Sequence, residues 1–144
     1  MSTSGVSVVV PTLGRPELAR LLTALAEGLP EAAGPVEVVL VDDRRRASPP
    51  LPVPDRLVPV TTVVQGRAAG PAAARNRGGR AARYSWVVCL DDDGVPEPDW
   101  FARLADDLAM DPPVGGVQGQ VTVPLPHRRP TDWERSTAGL ATGR

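Results

Sequence analysis

Three consecutive carboxylates, Asp91–Asp93, follow an apolar run in the second half of the chain. The run before them, Trp86–Leu90, has the length and β-branched character of a buried strand, and Gly94 and Pro96 cannot extend it. Adjacent carboxylates repel one another unless they are solvated or share a cation. Because hard oxygen ligands favour Mg²⁺ or Mn²⁺ over zinc, the pattern predicts a site for one of these ions. A solvated acidic turn is the alternative interpretation.

Two further predicted strands also end in polar residues. The strand Val6–Val10 continues into Pro11 and Thr12, and the strand Val36–Val41 ends at Asp42 and Asp43. Carboxyl ends of parallel strands meet at one edge of a sheet, where ligands bind in open α/β folds. The sequence contains neither Gly-x-Gly-x-x-Gly after the first strand nor a Gly-Lys-Ser/Thr loop. A phosphate group at this edge would therefore be bound by a metal ion and arginine.

The elements between these strand ends predict an open, mostly parallel α/β sheet. Leucines at helical spacing follow Pro16 until Gly28, which gives a right-handed β-α-β crossover. Residues 44–59 contain five prolines and form a long surface loop, whose three leading arginines we interpret as a solvated charge run rather than a phosphate clamp. The other predicted elements are a strand at Val60–Val64, a helix from Pro71 with small residues that pack closely on the sheet, a helix after Pro98, a last strand within Val114–Val123, and a helix start capped by Thr131 or Asp132.

Composition limits the classes of partner. The 144 residues suffice for one domain with a core, and a net charge of −1 gives no overall attraction to nucleic acid or to an anionic membrane. All 16 basic residues are arginine, which excludes any mechanism that needs lysine. Cys89 is the single cysteine, so no internal disulfide forms, and we expect it in the core. No apolar run approaches the roughly 20 residues of a membrane span, and we expect a cytoplasmic protein.

Four stretches together resemble the inverting GT-A glycosyltransferases of family 2, which use nucleotide-sugar donors. The resemblance runs from about Val6 to about Val123. It implies the GT-A, Rossmann-like fold, truncated at the C-terminal side, with residues 1–127 as a nucleotide-sugar-binding part and residues 128–144 as the start of an incomplete acceptor-side region. The stretches that carry it are Val8–Thr12, Val39–Asp43, Gly70–Gly78, and Leu90–Asp93 with Pro96.

The resemblance also implies roles for individual residues. Thr12 and Asp43 would hold the nucleobase, and a carboxylate that accepts an imide N–H favours uracil, hence a UDP-sugar. Arg75 would lie near the nucleotide. Asp91 and Asp93 would bind the ribose and the Mg²⁺- or Mn²⁺-bridged diphosphate, with Asp93 the main metal ligand. Completing the predicted donor site are Pro11, Arg15 and Asp92.

Two departures from the family pattern affect these expectations. Arg44 and Arg45 stand where the family has Gly-Ser, which changes the loop after the second strand. The family's catalytic base is an acidic residue well beyond the Asp-x-Asp motif, and here only Asp132 and Glu134 follow Asp111, both weak candidates. We therefore expect a donor-binding fragment of a longer enzyme, whose acceptor is unknown, with little transfer activity of its own.

Three other functions remain open from the sequence. A noncatalytic nucleotide-sugar-binding module would share the same strand ends. A sugar nucleotidyltransferase shares much of the architecture but would show a glycine-rich first loop with a lysine, for which Gly14 and Arg15 are a poor substitute. A phospho-receiver domain also carries an acidic pair at a strand end, but it relies on a lysine that this chain lacks.

Overall fold

The computed structural model describes residues 5–110 and 115–138. Its sheet has four parallel strands in the order β3-β2-β1-β4, as the sequence predicts for an open α/β fold. The strands are β1 Val6–Thr12, β2 Val36–Asp42, β3 Thr61–Gln65 and β4 Trp86–Cys89, and the helices are α1 Glu17–Gly28, α2 Pro71–Ala81, α3 Trp100–Leu108 and α4 Asp132–Ala138.

The two central strands, β1 and β2, are buried on both faces, and this explains their continuous valine-rich sequences. Successive side chains of a strand point to opposite faces. Val8 and Val10 lie in one cluster with the leucines of α1 and with Phe101 of α3. Val9 lies in a second cluster with Ala74 of α2. Helices on both faces thus hold β1 and β2 in place and fix where their carboxyl ends emerge.

Helix α2 approaches the sheet very closely at Gly78. A Cβ atom there would lie 2.3 Å from Cγ1 of Val9 and 3.0 Å from Cγ2 of Val41. The helix begins after Gly70, whose φ of +93° and ψ of 172° suit only glycine. The predicted close packing of small residues is therefore confirmed.

The proline-rich segment 44–59 differs in one respect from the prediction of a surface loop. It contains no regular helix or strand up to a 3₁₀ turn at Val58–Val60, as its prolines require. Leu57, however, is fully buried, and Leu51 and Val53 pack against the same cluster as α1. Apolar residues between the prolines thus anchor the segment to the core.

Two predictions, one about a last strand within Val114–Val123 and one about the burial of Cys89, are wrong. Residues 115–123 form no strand, and Val117, Val121 and Val123 are exposed, because no strand pairs with them in the described chain. Residue 114 lies outside the described residues. Cys89 is exposed rather than in the core, because β4 is an edge strand whose residues alternate between partial burial and exposure.

Contacts divide the chain into two compact units, one ending at Asp106 and one beginning at Asp107. The second unit contains α4, which starts as predicted with Thr131 as its cap. The Glu134 amide donates to Oγ1 of Thr131 at 3.2 Å, and the Thr131 amide donates to Oε2 of Glu134 at 2.8 Å. The functional boundary predicted at residue 127 stays a prediction. Within the described ranges, no helix has both the length and the apolar character needed to cross a membrane.

Candidate functional site

The strand order brings the predicted site residues to one edge of the sheet. From β1 the chain adds β2 and then β3 on one side, and β4 pairs with β1 on the other side. The order therefore reverses between β1 and β4, which is where open α/β sheets bind ligands. The residues at or just past the carboxyl ends of these strands are Pro11, Thr12, Asp42, Asp43 and Asp91–Asp93.

A hydrogen-bonded group joins β1 to β4 at this switch point. Oγ1 of Thr12 donates to Oδ2 of Asp92 at 2.8 Å and accepts the Gly14 amide at 2.9 Å. Arg15 donates to Oδ1 of Asp92 at 2.5 Å, and this hydrogen bond raises the pKa of Arg15. Asp92 is only 3% exposed, so the middle aspartate of the three is a scaffold that fixes the two strand ends.

Asp43 organises the connection from β3 to α2. Its Oδ1 accepts the Arg67 amide and its Oδ2 the Gly70 amide, both at 3.1 Å. A Cβ atom on Gly66 would lie 2.3 Å from Oδ1 of Asp43, so only glycine lets the chain pass this closely. Asp43 is itself buried. The structure thus places the predicted base-binding carboxylate at the sheet edge and gives it a structural task as well.

Asp42 forms an ion pair with Arg44 that the sequence analysis did not foresee. Nε and Nη2 of Arg44 donate to the two carboxylate oxygens of Asp42, each at 2.8 Å, and the Arg44 amide also donates to Oδ1 at 3.2 Å. These hydrogen bonds lower the pKa of Asp42 against the opposing effect of burial. The signal in the sequence was an arginine two residues after a strand-end aspartate, where the resemblance led us to expect glycine.

The outer two aspartates are accessible. Oδ1 of Asp91 accepts a hydrogen bond from Nη2 of Arg75 at 2.5 Å, and their side chains are 64% and 37% exposed. Asp93 is also exposed. The predicted site therefore separates into a buried set, Thr12, Asp43 and Asp92, and an accessible set, Arg15, Arg75, Asp91 and Asp93. Pro11 is half-buried at the end of β1. Sequence reasoning found these residues but not this separation.

The comparisons with known proteins agree with this architecture. A sequence model described as Glycosyl transferase family 2 matches residues 7–140. The chain belongs to that family. A curated family relative, "Succinoglycan biosynthesis protein ExoO" of Rhizobium meliloti, is 36% identical over 89 residues, which are 60% of this chain and 25% of that protein. An "Uncharacterized glycosyltransferase" of Haemophilus influenzae is 26% identical over 119 residues, which are 77% of this chain and 37% of that protein.

Solved structures show the same fold. S. aureus TarS 1-349 in complex with UDP-GlcNAc superimposes with a TM-score of 0.59 at 25% identity, over 72% of this chain and 31% of that one. The mannosyltransferase PcManGT of Pyrobaculum calidifontis, in complex with GDP-Man and Mn²⁺, gives 0.55 at 28% identity over 74% and 32%. The open parallel sheet is that of the GT-A fold. The chain spans a quarter to about a third of the length of the relatives and structures named here.

The accessible carboxylates would suit a divalent cation that also binds phosphate groups of a substrate. Among the residues described, no three His, Cys, Asp or Glu side chains form a closed metal site. Mg²⁺ is commonly bound by one or two protein carboxylates together with substrate phosphates. Asp91 and Asp93 supply hard oxygen donors of this kind on the exposed side of the edge. The donor set therefore fits a cation that is shared with a diphosphate.

The two candidate bases lie in α4, in the second compact unit. Glu134 accepts hydrogen bonds from Nη1 and Nη2 of Arg128, at 3.0 and 2.6 Å, and from the amide and hydroxyl of Thr131. Arg128 first, and then Thr131, lower the pKa of Glu134, which makes it a weaker base. Asp132 is exposed and pairs with Arg135. We therefore assign neither residue as the catalytic base.

A groove of about 490 Å³ lies between β3 and α2. The predicted site residues do not line it, but its lining residues Gly66 and Arg67 contact Asp43. Of the strand-end residues, Asp91 and Asp93 are exposed, whereas Thr12, Asp42, Asp43 and Asp92 are buried. The candidate site is defined by its converging polar groups and the strand-order reversal.

Proposed function

We propose that this chain binds a nucleoside-diphosphate sugar across the carboxyl ends of β1, β2 and β4, with UDP-sugars favoured, and serves inverting transfer of the sugar to an acceptor hydroxyl. The observation that carries the proposal is the convergence of three polar strand ends, distant in sequence, where the strand order reverses. Family membership and structural neighbours solved with UDP-GlcNAc and GDP-Man support it.

The accessible residues would bind the diphosphate. Asp91 and Asp93 would hold Mg²⁺ or Mn²⁺, which when bound neutralises the diphosphate and stabilises the charge of the leaving group. Arg75 is held to Asp91 by one contact between two accessible side chains, and a pair of this kind contributes little energy, so its guanidinium can turn to a phosphate oxygen at small cost. Arg15 is 54% exposed but pairs with the buried Asp92, so it would contact a phosphate through its remaining N–H donors while keeping that pair.

The buried residues would position the base. Each carboxylate oxygen has about two acceptor positions, so Asp43, which accepts one backbone N–H on each oxygen, retains capacity for an imide N–H. Uracil presents such a group, whereas cytosine does not. Asp43 is also fixed in direction by those two backbone contacts. This preorganisation favours discrimination between bases.

In the proposed reaction the acceptor oxygen attacks the anomeric carbon while the bond from that carbon to the phosphate oxygen breaks. The nucleoside diphosphate leaves with the bonding electron pair, and the acceptor proton passes to a base. Attack opposite to the leaving group inverts the configuration, through an oxocarbenium-like transition state. The chain's contribution is to hold the donor in a fixed orientation at the sheet edge, because orientation lowers the barrier substantially.

The test is displacement of a fluorescent UDP by unlabelled UDP, GDP, CDP and ADP in the presence of Mn²⁺. We expect UDP to compete best. Asp43→Asn should weaken UDP binding by about 1.5–3 kcal/mol, because one charge-assisted hydrogen bond is lost. The amide oxygen of asparagine can still accept a backbone N–H, and an unfolding curve of the variant controls for damage to the turn.

The outcomes separate the parts of the proposal. Equal competition by all four nucleotides would contradict the role of Asp43 in base recognition. Failure of the wild-type chain to bind any of them would contradict the donor site itself. Release of UDP from a UDP-sugar, compared with and without sugar acceptors, then distinguishes a transferase from a noncatalytic binding module.

A further inference from the structure

We propose that Arg44 is a specificity-determining residue of the donor site, and that its guanidinium donates to a carbonyl of the nucleobase. The inference rests on the proposed function and deepens it. It concerns a residue that stands where the family resemblance predicts glycine. The ligand class is a nucleoside diphosphate whose base carries a ring carbonyl, such as uracil or guanine, as opposed to adenine.

Arg44 is held rigidly. Three hydrogen bonds hold Arg44 to the Asp42 carboxylate, two from the guanidinium and one from the amide. Its side chain is only 15% exposed. Bidentate pairing fixes the plane of a guanidinium as well as its position. The Arg44 side chain is therefore held in one position at the end of β2, whereas Arg45 and Arg46 are exposed.

Arg44 also lies close to the carboxyl end of β1. Arg44 reaches from the end of β2 to the loop that follows β1. A Cβ atom on Gly14 would lie 2.9 Å from Cδ and 3.3 Å from Nη1 of Arg44, and the φ of +71° at Gly14 also favours glycine. Thr12 accepts the Gly14 amide in this same loop. Arg44 thus lies beside the strand end where the proposal places the base.

The unused N–H donors of Arg44 suit a particular kind of ligand group. A guanidinium has five N–H donors, and Asp42 takes one from Nε and one from Nη2. The two N–H donors on Nη1, the nitrogen beside Gly14, have no hydrogen-bond acceptor among the described residues. Because Asp42 neutralises Arg44 and holds it in place, the Arg44 guanidinium is poorly suited to follow a mobile phosphate. It is well suited to a neutral carbonyl oxygen presented at a fixed position.

The geometry also divides the work between neighbouring residues. Asp42 and Asp43 are consecutive at the end of β2, so their side chains leave on opposite faces of the sheet. Arg44, held by Asp42, lies on one side of the edge, and Asp43 lies on the other. A hydrogen-bond donor, Arg44, and a hydrogen-bond acceptor, Asp43, therefore lie on the two sides of this edge.

The experiment compares Arg44→Gly with the matched control Arg45→Gly in the displacement assay with UDP, GDP and ADP. Arg44→Gly should weaken UDP and GDP about tenfold or more, through loss of a charge-assisted hydrogen bond, and change ADP little. Arg45→Gly should bind all three as the wild type does. Asp42→Asn, which leaves Arg44 present but less firmly held, should give a smaller loss in the same direction.

Two results would overturn the inference while leaving the proposed function intact. One is an unchanged ratio of UDP to ADP affinity in Arg44→Gly. The other is an equal loss for all three nucleotides, which would show that Arg44 acts on the diphosphate or only on the loop. Unfolding curves of each variant show whether the fold is preserved, and Asp42→Asn retains a test if Arg44→Gly unfolds. Absence of nucleotide binding by the wild type would instead contradict the proposed function.

Discussion

Individual polar contacts hold the strand ends of this sheet together. Among these contacts, we expect those of Thr12 to contribute most to stability. Its hydroxyl donates to the buried Asp92 and accepts the Gly14 amide. Thr12→Val keeps the shape but leaves the Asp92 carboxylate short of a donor. We expect the variant to lose about 1–3 kcal/mol of unfolding free energy, measured by urea denaturation.

The control for this variant is Thr62→Val in β3. Thr62 is an exposed strand residue, and valine is a good strand former, so the substitution should change stability by no more than about 0.5 kcal/mol. Equal effects at the two positions would show that the contact between Thr12 and Asp92 does not stabilise the switch point.

Glu37 provides a test by pH at the opposite end of the sheet. The buried carboxylate accepts hydrogen bonds from Ser7 at 2.6 Å and from the Arg83 amide and Nε at 2.5 and 2.8 Å. Burial raises the pKa of Glu37, but these hydrogen bonds together outweigh it and lower the pKa below its ordinary value of 4.5. The stabilisation is therefore complete above that ordinary value and disappears as the pH falls through the lower, folded-state pKa.

We accordingly expect wild type and Glu37→Gln to differ in unfolding free energy at neutral pH and to converge in acid. The measurement is urea denaturation of both proteins between pH 7 and pH 3. Asp42 also has a lowered pKa, so the wild type will lose further stability over the same range that Glu37→Gln does not prevent. A difference between the two proteins that stays constant with pH would contradict the ionised state of Glu37.

Among the secondary-structure elements, α2 gives the sharpest prediction because it contains adjacent glycines in different surroundings. Gly78→Ala would force a methyl group against Val9 and Val41 and should cost about 1–3 kcal/mol through overpacking. Gly79→Ala has no heavy atom within 4 Å of the new Cβ and should stabilise the helix by about 0.5–1 kcal/mol. Thermal or urea unfolding of the two variants measures both values. Effects of the same sign would contradict the packing of α2 on the sheet.

Sequence patterns identified the elements that are rich in local information. The valine runs of β1 and β2, the leucine spacing of α1 and the cap at Thr131 each act over a few residues, and the structure has all of them. The fate of residues 115–123 and of Cys89 depended instead on which strand pairs with which. Alternating apolar residues favour a strand only when a partner strand is present, and periodicity alone does not reveal one.

The site shows the same limit at the level of side chains. Strand ends rich in aspartate predicted where the polar groups converge, because parallel strands place their carboxyl ends together. Which aspartates are buried depended on partners far away in sequence, such as Thr12 for Asp92 and the Arg67 amide for Asp43. Arg44 stands where the family resemblance predicts glycine, and its pairing with Asp42 depends on the folded conformation of the loop.

At the scale of the whole molecule, the sheet edge has buried residues that fix its geometry and accessible residues that we propose bind the charged part of a donor. Asp91 and Asp93 are exposed, and their oxygen donors suit a cation shared with a diphosphate. Because the chain itself supplies few ligands, cation and nucleotide should bind together and strengthen each other.

The most direct test is titration calorimetry of UDP into the wild-type chain with Mn²⁺ and with a chelator. We expect UDP to bind at least about tenfold more tightly with Mn²⁺, since the cation neutralises the diphosphate beside Asp91 and Asp93. Asp93→Ala should remove most of this difference, whereas Asp55→Ala, at an exposed carboxylate in the proline-rich segment, should retain it. Equal affinity of the wild type for UDP with Mn²⁺ and with chelator would contradict the binding of a divalent cation by Asp91 and Asp93.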